Sequence, residues 1–274
     1  MSPKLLATLL FALAAACCHG APTLEMIPVI NHSDGRILAK LETTIYRPSG
    51  SGPFPVAILS HGSAGGSPKA SSAWAREGSY LAEKGYVVLA PMRRGRGKST
   101  GESPESEDKN CDLDSWLPGL TTSLQDIDAT IEFSRTLPDV KSGAVLLLGI
   151  SRGGFLSVAY AAQGRYRADI RQVVNFVGGW VAQAEDQCPT DFNLINFRRF
   201  GSLTQTPMLW LYGAHDLFYG NQAPSNYADT FRAAGGKVLF HLIEGVPENG
   251  HWLPSYPDKW RPYVDSFLRS ENAR

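Results

Sequence analysis

Several short runs in this chain are apolar at successive positions rather than alternate ones, and this pattern restricts the fold more than any other feature. Val87-Val88-Leu89-Ala90, Ala144-Val145-Leu146-Leu147-Leu148 and Met208-Leu209-Trp210-Leu211 have no polar face. Strands of this kind must be covered on both sides, as in a parallel sheet held between helices. Strands are therefore expected at Ile37 to Tyr46, Pro55 to Ser60, Val87 to Pro91, Ala144 to Ile150, Gln172 to Val177, Met208 to Tyr212 and Val238 to Ile243. Helices are expected at Ser71 to Lys84, Leu117 to Thr136, Gly153 to Gln163, Ser225 to Ala234 and Pro257 to Arg269. In the second, Leu120, Leu124, Ile127 and Ile131 are spaced to share one face, and Pro138 ends it. The alternation of the two patterns is that of an α/β fold.

The 274 residues suit one large domain, or two at most. The 26 Lys and Arg balance 26 Asp and Glu, so there is no basic excess to neutralise phosphates or anionic lipid, which argues against a dedicated nucleic-acid binder. Lys4, an apolar run from Leu5 to Ala16 and small residues up to Gly20 follow the order of a secretory signal. The run is about twelve residues where a membrane span needs about twenty. Residues 1–20 are thus expected to be removed and 21–274 exported to the periplasm or exterior with a net charge of −1, one Lys being lost with the signal. Ala14-Ala15-Ala16-Cys17 also resembles a lipoprotein box, the alternative in which Cys17 carries a lipid anchor. Cys111 and Cys188 remain, and an even pair in an oxidising compartment points to a disulfide, two buried thiols being the other possibility.

The chemistry is concentrated in three places. After the strand ending at Ile150 stands Gly149-Ile150-Ser151-Arg152-Gly153-Gly154, a G-x-S-x-G sequence between a strand and a helix. The tight turn needs small flanking residues and holds the serine hydroxyl out at the carboxyl edge of the sheet. A serine needs a base, and the base needs an orienting carboxylate. Asp216 follows the strand ending at Tyr212, and His251 follows the last strand, which gives the order Ser151, Asp216, His251. Of the six His, His241 falls inside a strand, where a core role is expected, and only His251 combines a loop, the right order and an adjacent Gly. Upstream, His61-Gly62-Ser63-Ala64-Gly65-Gly66 follows a strand and offers backbone N–H groups to an oxyanion. Ser63, with Ala64 as the alternative, and Arg152 are the expected oxyanion donors.

Between about Ile37 and Leu268 the chain resembles the α/β-hydrolases, and the Gly-Ile-Ser-Arg-Gly-Gly turn and Gly213-Ala214-His215-Asp216 are most similar to the dienelactone-hydrolase-like branch. The resemblance implies an eight-stranded, mostly parallel sheet with helices on both faces, and Ser151, Asp216 and His251 as a triad. The dienelactone hydrolases proper carry Cys as nucleophile, so Ser151 argues for ester hydrolysis but against a dienelactone substrate. Pro91-Met92-Arg93-Arg94-Gly95-Arg96-Gly97-Lys98-Ser99-Thr100-Gly101 is similar to the P-D-x-R-G-x-G-x-S-x-G segment of many lipases, esterases and peptidases, with Met92 in place of Asp. Its cations, Arg94 among them, either meet an acidic substrate or are structural. Two long segments, near 95–115 and 180–203, are expected as loops, the second a small lid whose Trp180, Phe192, Phe197 and Phe200 either face substrate or complete the core.

These expectations describe an exported serine hydrolase that cleaves carboxylic esters through an acyl-enzyme. A peptidase acting on short peptides, an acyltransferase and a non-catalytic binding protein are the alternatives. No metal ligand set or dinucleotide fingerprint is visible, so no cofactor is expected, and the expected partner is a small ester or short peptide.

Overall fold

The computed structural model describes residues 20–63, 74–103, 116–180 and 191–272. Cys17, Cys111 and Cys188 lie outside the described residues, as does the expected signal up to His19. Eight strands form one sheet: β1 (Thr23–Ile30), β2 (Ile37–Tyr46), β3 (Phe54–Ser60), β4 (Val87–Pro91), β5 (Val140–Ile150), β6 (Ile170–Phe176), β7 (Met208–Gly213) and β8 (Val238–Ile243). Their order is β1-β2-β4-β3-β5-β6-β7-β8. The β1–β2 and β2–β4 pairs are antiparallel, and every pair from β4 across to β8 is parallel.

The strands apolar at every position are all paired on both sides within the sheet, and Val145 to Leu148 and Met208 to Leu211 are buried throughout. Successive residues point to opposite helical layers. Phe176 of β6 meets Trp260 of α6 (Pro257–Asn272) at a 5.3 Å ring separation. Trp210 of β7, the cross-strand partner of neighbouring Asn175, instead meets Phe197 of α4 (Asp191–Leu203) and Phe231 of α5 (Gln222–Ala233). Against α6 lies α1 (Ala75–Glu83), through Tyr80 on Trp260. The remaining helices, α2 (Leu117–Ser134) and α3 (Arg152–Gln163), continue the layer of α4 and α5.

From β3 the chain passes to β4 on one side, and the later strands build outward on the other side of β3. Such a reversal falls at the carboxyl ends of β3 and β5, the position where α/β sheets bind ligands. His61 leaves β3 there, and Ser151 leaves β5.

Two elements depart from the expected pattern. Strand β1 carries Pro28, whose missing N–H is tolerated at the edge of a sheet. Residues 191–203, expected as a loop or lid, form helix α4, with Phe192, Phe197 and Phe200 each at most 3% exposed. Its apolar period is broken by two buried amides. Asn193 accepts a hydrogen bond from the Trp180 backbone N–H (2.8 Å) and donates to the Tyr227 hydroxyl (3.2 Å), while Asn196 donates to the Phe192 carbonyl (2.9 Å). These aromatics therefore complete the core. Phe197→Ala is expected to lower unfolding free energy by about 3–5 kcal/mol in urea titration, with KM unchanged; a substrate-facing lid would show the reverse.

Candidate active site

Ser151 occupies the turn between β5 and α3 with φ 54° and ψ −123°, a backbone conformation costing about 1–3 kcal/mol for a residue with a side chain. The surroundings enforce it. A methyl group on Gly149 would collide with the Gly153 carbonyl, and one on Gly153 would collide with the Ser60 carbonyl at the end of β3. Strand, turn and helix can pack this closely only because both positions lack a Cβ. Ser151 precedes α3 without capping it through its side chain, so the hydroxyl is not taken up by the helix's own N–H groups at its positive end.

Asp216 and His251 are brought into direct contact. Asp216 Oδ2 lies 2.9 Å from His251 Nδ1, and Oδ1 accepts the backbone N–H groups of Phe218 (2.7 Å) and Tyr219 (3.3 Å). With the carboxylate 2% exposed and bound on both oxygens, its orientation is fixed, and so is that of the imidazole. His251 is 7% exposed, with the Phe218 ring 4.4 Å away and the Tyr219 ring 5.7 Å away. Buried Asn249 joins the two loops: its Oδ1 accepts the N–H of Leu217 (3.0 Å) and that of His251 (2.9 Å). His241 stands apart within β8, half-buried against the Tyr263 ring at 4.4 Å. Burial pushes its imidazole pKa down.

The β3 loop lies against the serine. A Cβ on Gly62 would sit 3.1 Å from the Ser151 Cβ and 3.8 Å from its Oγ. Ser63 follows at the surface, while Ala64 lies outside the described residues. Arg152 is the first residue of α3, where N–H groups have no intrahelical acceptor. Of the two expected oxyanion donors, Arg152 thus adjoins the serine in sequence and Ser63 follows Gly62 in the β3 loop.

Tyr219 was not expected here. It is 3% exposed, and its hydroxyl reaches Gly179, where a Cβ would stand 2.5 Å from the phenol oxygen. The Gly179 N–H in turn donates to the Ser151 carbonyl at 3.4 Å. Burial, reinforced by Asp216, pushes the phenol pKa upward, so near neutral pH the hydroxyl keeps its proton. No periodic or motif signal marks this residue; only its position three after the acid could have drawn attention to it.

Three residues expected to bind substrate do not line the site. Arg94 is buried and pairs with Asp126 of α2, through its backbone N–H (2.9 Å), Nε (2.8 Å) and Nη2 (2.7 Å). Trp180 is 4% exposed and packs edge-on against Trp116 at 5.7 Å, with the Arg152 guanidinium 4.3 Å from its ring. Phe192 meets the same Trp116 at 5.0 Å. The apolar surface beside His251 comes instead from Leu217, 65% exposed, and Trp252, 50% exposed. Among the described residues, no three His, Cys, Asp or Glu side chains are grouped to hold a metal.

Residues 34–185, more than half of the chain, match the family model of the X-Pro dipeptidyl-peptidases (S15 family). The chain belongs to the S15 family. The matched segment takes in the β3 loop and the Ser151 turn and stops before Asp216 and His251. A Synechocystis sp. protein described as a candidate carboxymethylenebutenolidase is 34% identical over 79 residues, 28% of this chain, and the match spans about a third of that relative's length (32%). Among solved structures, a Pyrococcus furiosus esterase superposes with a TM-score of 0.61 at 14% identity, covering 98% of this S15-family chain and 97% of its own. A Klebsiella pneumoniae protein described as a candidate dienelactone hydrolase gives 0.57 at 18% identity, covering 91% and 99%. The fold is that of the α/β-hydrolases, in keeping with the dienelactone-hydrolase-like resemblance.

The buried Arg94–Asp126 pair yields a prediction. Arg94→Ala leaves a carboxylate buried without its partner and is expected to cost about 3–5 kcal/mol in chemical denaturation. The KM of the folded fraction should stay unchanged; a raised KM with unaltered stability would restore Arg94 to the substrate site.

Proposed function

We propose that this protein is a serine hydrolase cleaving carboxylic esters through an acyl-enzyme intermediate. The observation that carries the reading is the pairing of a serine held at positive φ, its hydroxyl not used as a helix cap, with a buried Asp216–His251 couple on the same edge of the sheet. Ser151 Oγ attacks the ester carbonyl as His251 Nε2 takes its proton. The tetrahedral oxyanion is received by the N–H groups of Ser63 and Arg152. His251 then returns the proton to the leaving alcohol, and water repeats the cycle to release the acid. Asp216 keeps the Nδ1–H tautomer and stabilises the imidazolium without taking the proton.

The substrate is proposed to be a small ester with an apolar portion resting on Leu217 and Trp252. Family membership favours a second reading, in which the same groups cleave short peptides. An amide differs at the step where His251 protonates the leaving amine, so the two readings separate by leaving group. Export through the N-terminal segment belongs to the same proposal and is tested by the N-terminal sequence of the mature protein.

Nitrophenyl esters of rising chain length, assayed beside aminoacyl anilides, decide between the readings. The ester reading expects turnover of the esters, with Trp252→Ala raising KM most for the longer acyl chains. Cleavage of the anilides at comparable kcat/KM would move the assignment to a peptidase. Asp216→Asn is expected to lower kcat by about 10⁴-fold, because the imidazole is then held in the wrong tautomer. A variant within a few fold of the parent would remove Asp216 from the mechanism.

A further inference from the structure

We infer that Arg93, through its guanidinium and its contact with His61, is the positioning residue that aims the N–H groups of the oxyanion loop at Ser151. The inference rests on the serine hydrolase reading and adds a residue outside the triad and the two donors. Arg93 follows β4 and is 4% exposed. Its Nη1 donates to the His61 carbonyl and its Nη2 to the Gly62 carbonyl at 3.1 Å. Its backbone N–H donates to His61 Nε2 at 3.0 Å, so the proton of that imidazole is on Nδ1, which donates to the Gly62 carbonyl at 2.7 Å.

Two consecutive carbonyls are thus turned toward one guanidinium. In a planar trans peptide the C=O and the following N–H point in opposite directions. Fixing the His61 and Gly62 carbonyls on Arg93 therefore directs the Gly62 and Ser63 N–H groups away from it. The sheet order decides where that is: β4 and Arg93 lie on one side of β3, and β5 and Ser151 lie on the other. The N–H groups are therefore aimed at the nucleophile's side, where a Cβ on Gly62 would stand 3.1 Å from the Ser151 Cβ. Neither N–H donates to an acceptor among the described residues. A cation behind the peptides also polarises their N–H groups toward a developing oxyanion. Arg94, next in sequence, is bound to Asp126 and takes no part in holding the loop.

The test compares Arg93→Ala and Arg93→Lys with the parent enzyme on a nitrophenyl ester and on an alkyl boronic acid, which mimics the tetrahedral adduct. A loop that loses its aim by about an ångström should lose about 10²-fold in kcat with little change in KM. Boronate affinity should fall by the same factor, and added guanidinium should restore part of the Arg93→Ala activity at concentrations that leave the parent unaffected. Arg93→Lys, which cannot hold both carbonyls, should remain impaired if Arg93→Ala proves unable to fold. Variants with parental kcat and boronate affinity, altered only in denaturation midpoint, would overturn the inference. If the parent neither turns over esters nor binds boronate, the hydrolase reading fails. The positioning claim is then decided separately by a crystal structure of Arg93→Lys, in which the Gly62 carbonyl is expected to rotate; an unmoved carbonyl would refute it.

Discussion

Everything at this site depends on the backbone of Ser151 being held at positive φ between two glycines that cannot be replaced. The turn lets β5 end and α3 begin within one residue, and it brings the start of α3 against the end of β3, with Gly153 facing the Ser60 carbonyl. The strain of about 1–3 kcal/mol is sustained by the buried strands on either side. In return the hydroxyl is held at a helix N-terminus, beside the loop that leaves β3.

The Asp216–His251 couple is placed by a different device. Asp216 and His251 are 35 residues apart and come from successive strand ends, so their alignment depends on how two loops meet. Asn249 joins them with one side-chain oxygen accepting both Leu217 and His251 N–H groups. Gly213 and Gly250 allow the loops to touch, since a Cβ on either would strike the backbone of the other loop. Phe218 and Tyr219 then close over the imidazole. The same short segment that orients the carboxylate through its N–H groups thus supplies the ring that shields the imidazole.

Legibility followed the range of the interactions. All seven expected strands are present, and the runs with no polar face were the clearest of them, because such a run has few alternatives to the interior of a sheet. Ser151, Asp216 and His251 could be picked out because each follows a strand in an order that can be read along the chain, Ser151 between Gly149 and Gly153 two residues away on either side and His251 directly after Gly250. Strand β1 was hidden by Pro28 and by being half-exposed at the edge. Helix α4 was hidden by Asn193 and Asn196, polar residues on its buried face whose partners, Trp180, Tyr227 and the Phe192 carbonyl, cannot be inferred from spacing. The double meaning of Trp180, Phe192 and Arg94 was likewise decided only by packing. Arg93 and Arg94 show the limit most clearly: adjacent residues of one type have guanidinium groups bound to opposite neighbours, one to the β3 loop and one to α2.

The central claim is that Ser151 is an activated nucleophile rather than a structural turn residue, and covalent labelling tests it most directly. The folded protein is treated with a fluorophosphonate, digested and analysed by mass spectrometry, with His251→Ala as control. The account predicts a single adduct, located on Ser151 and strongly diminished without the imidazole. An unlabelled Ser151 in folded protein, or an adduct that forms equally well without His251, would contradict it.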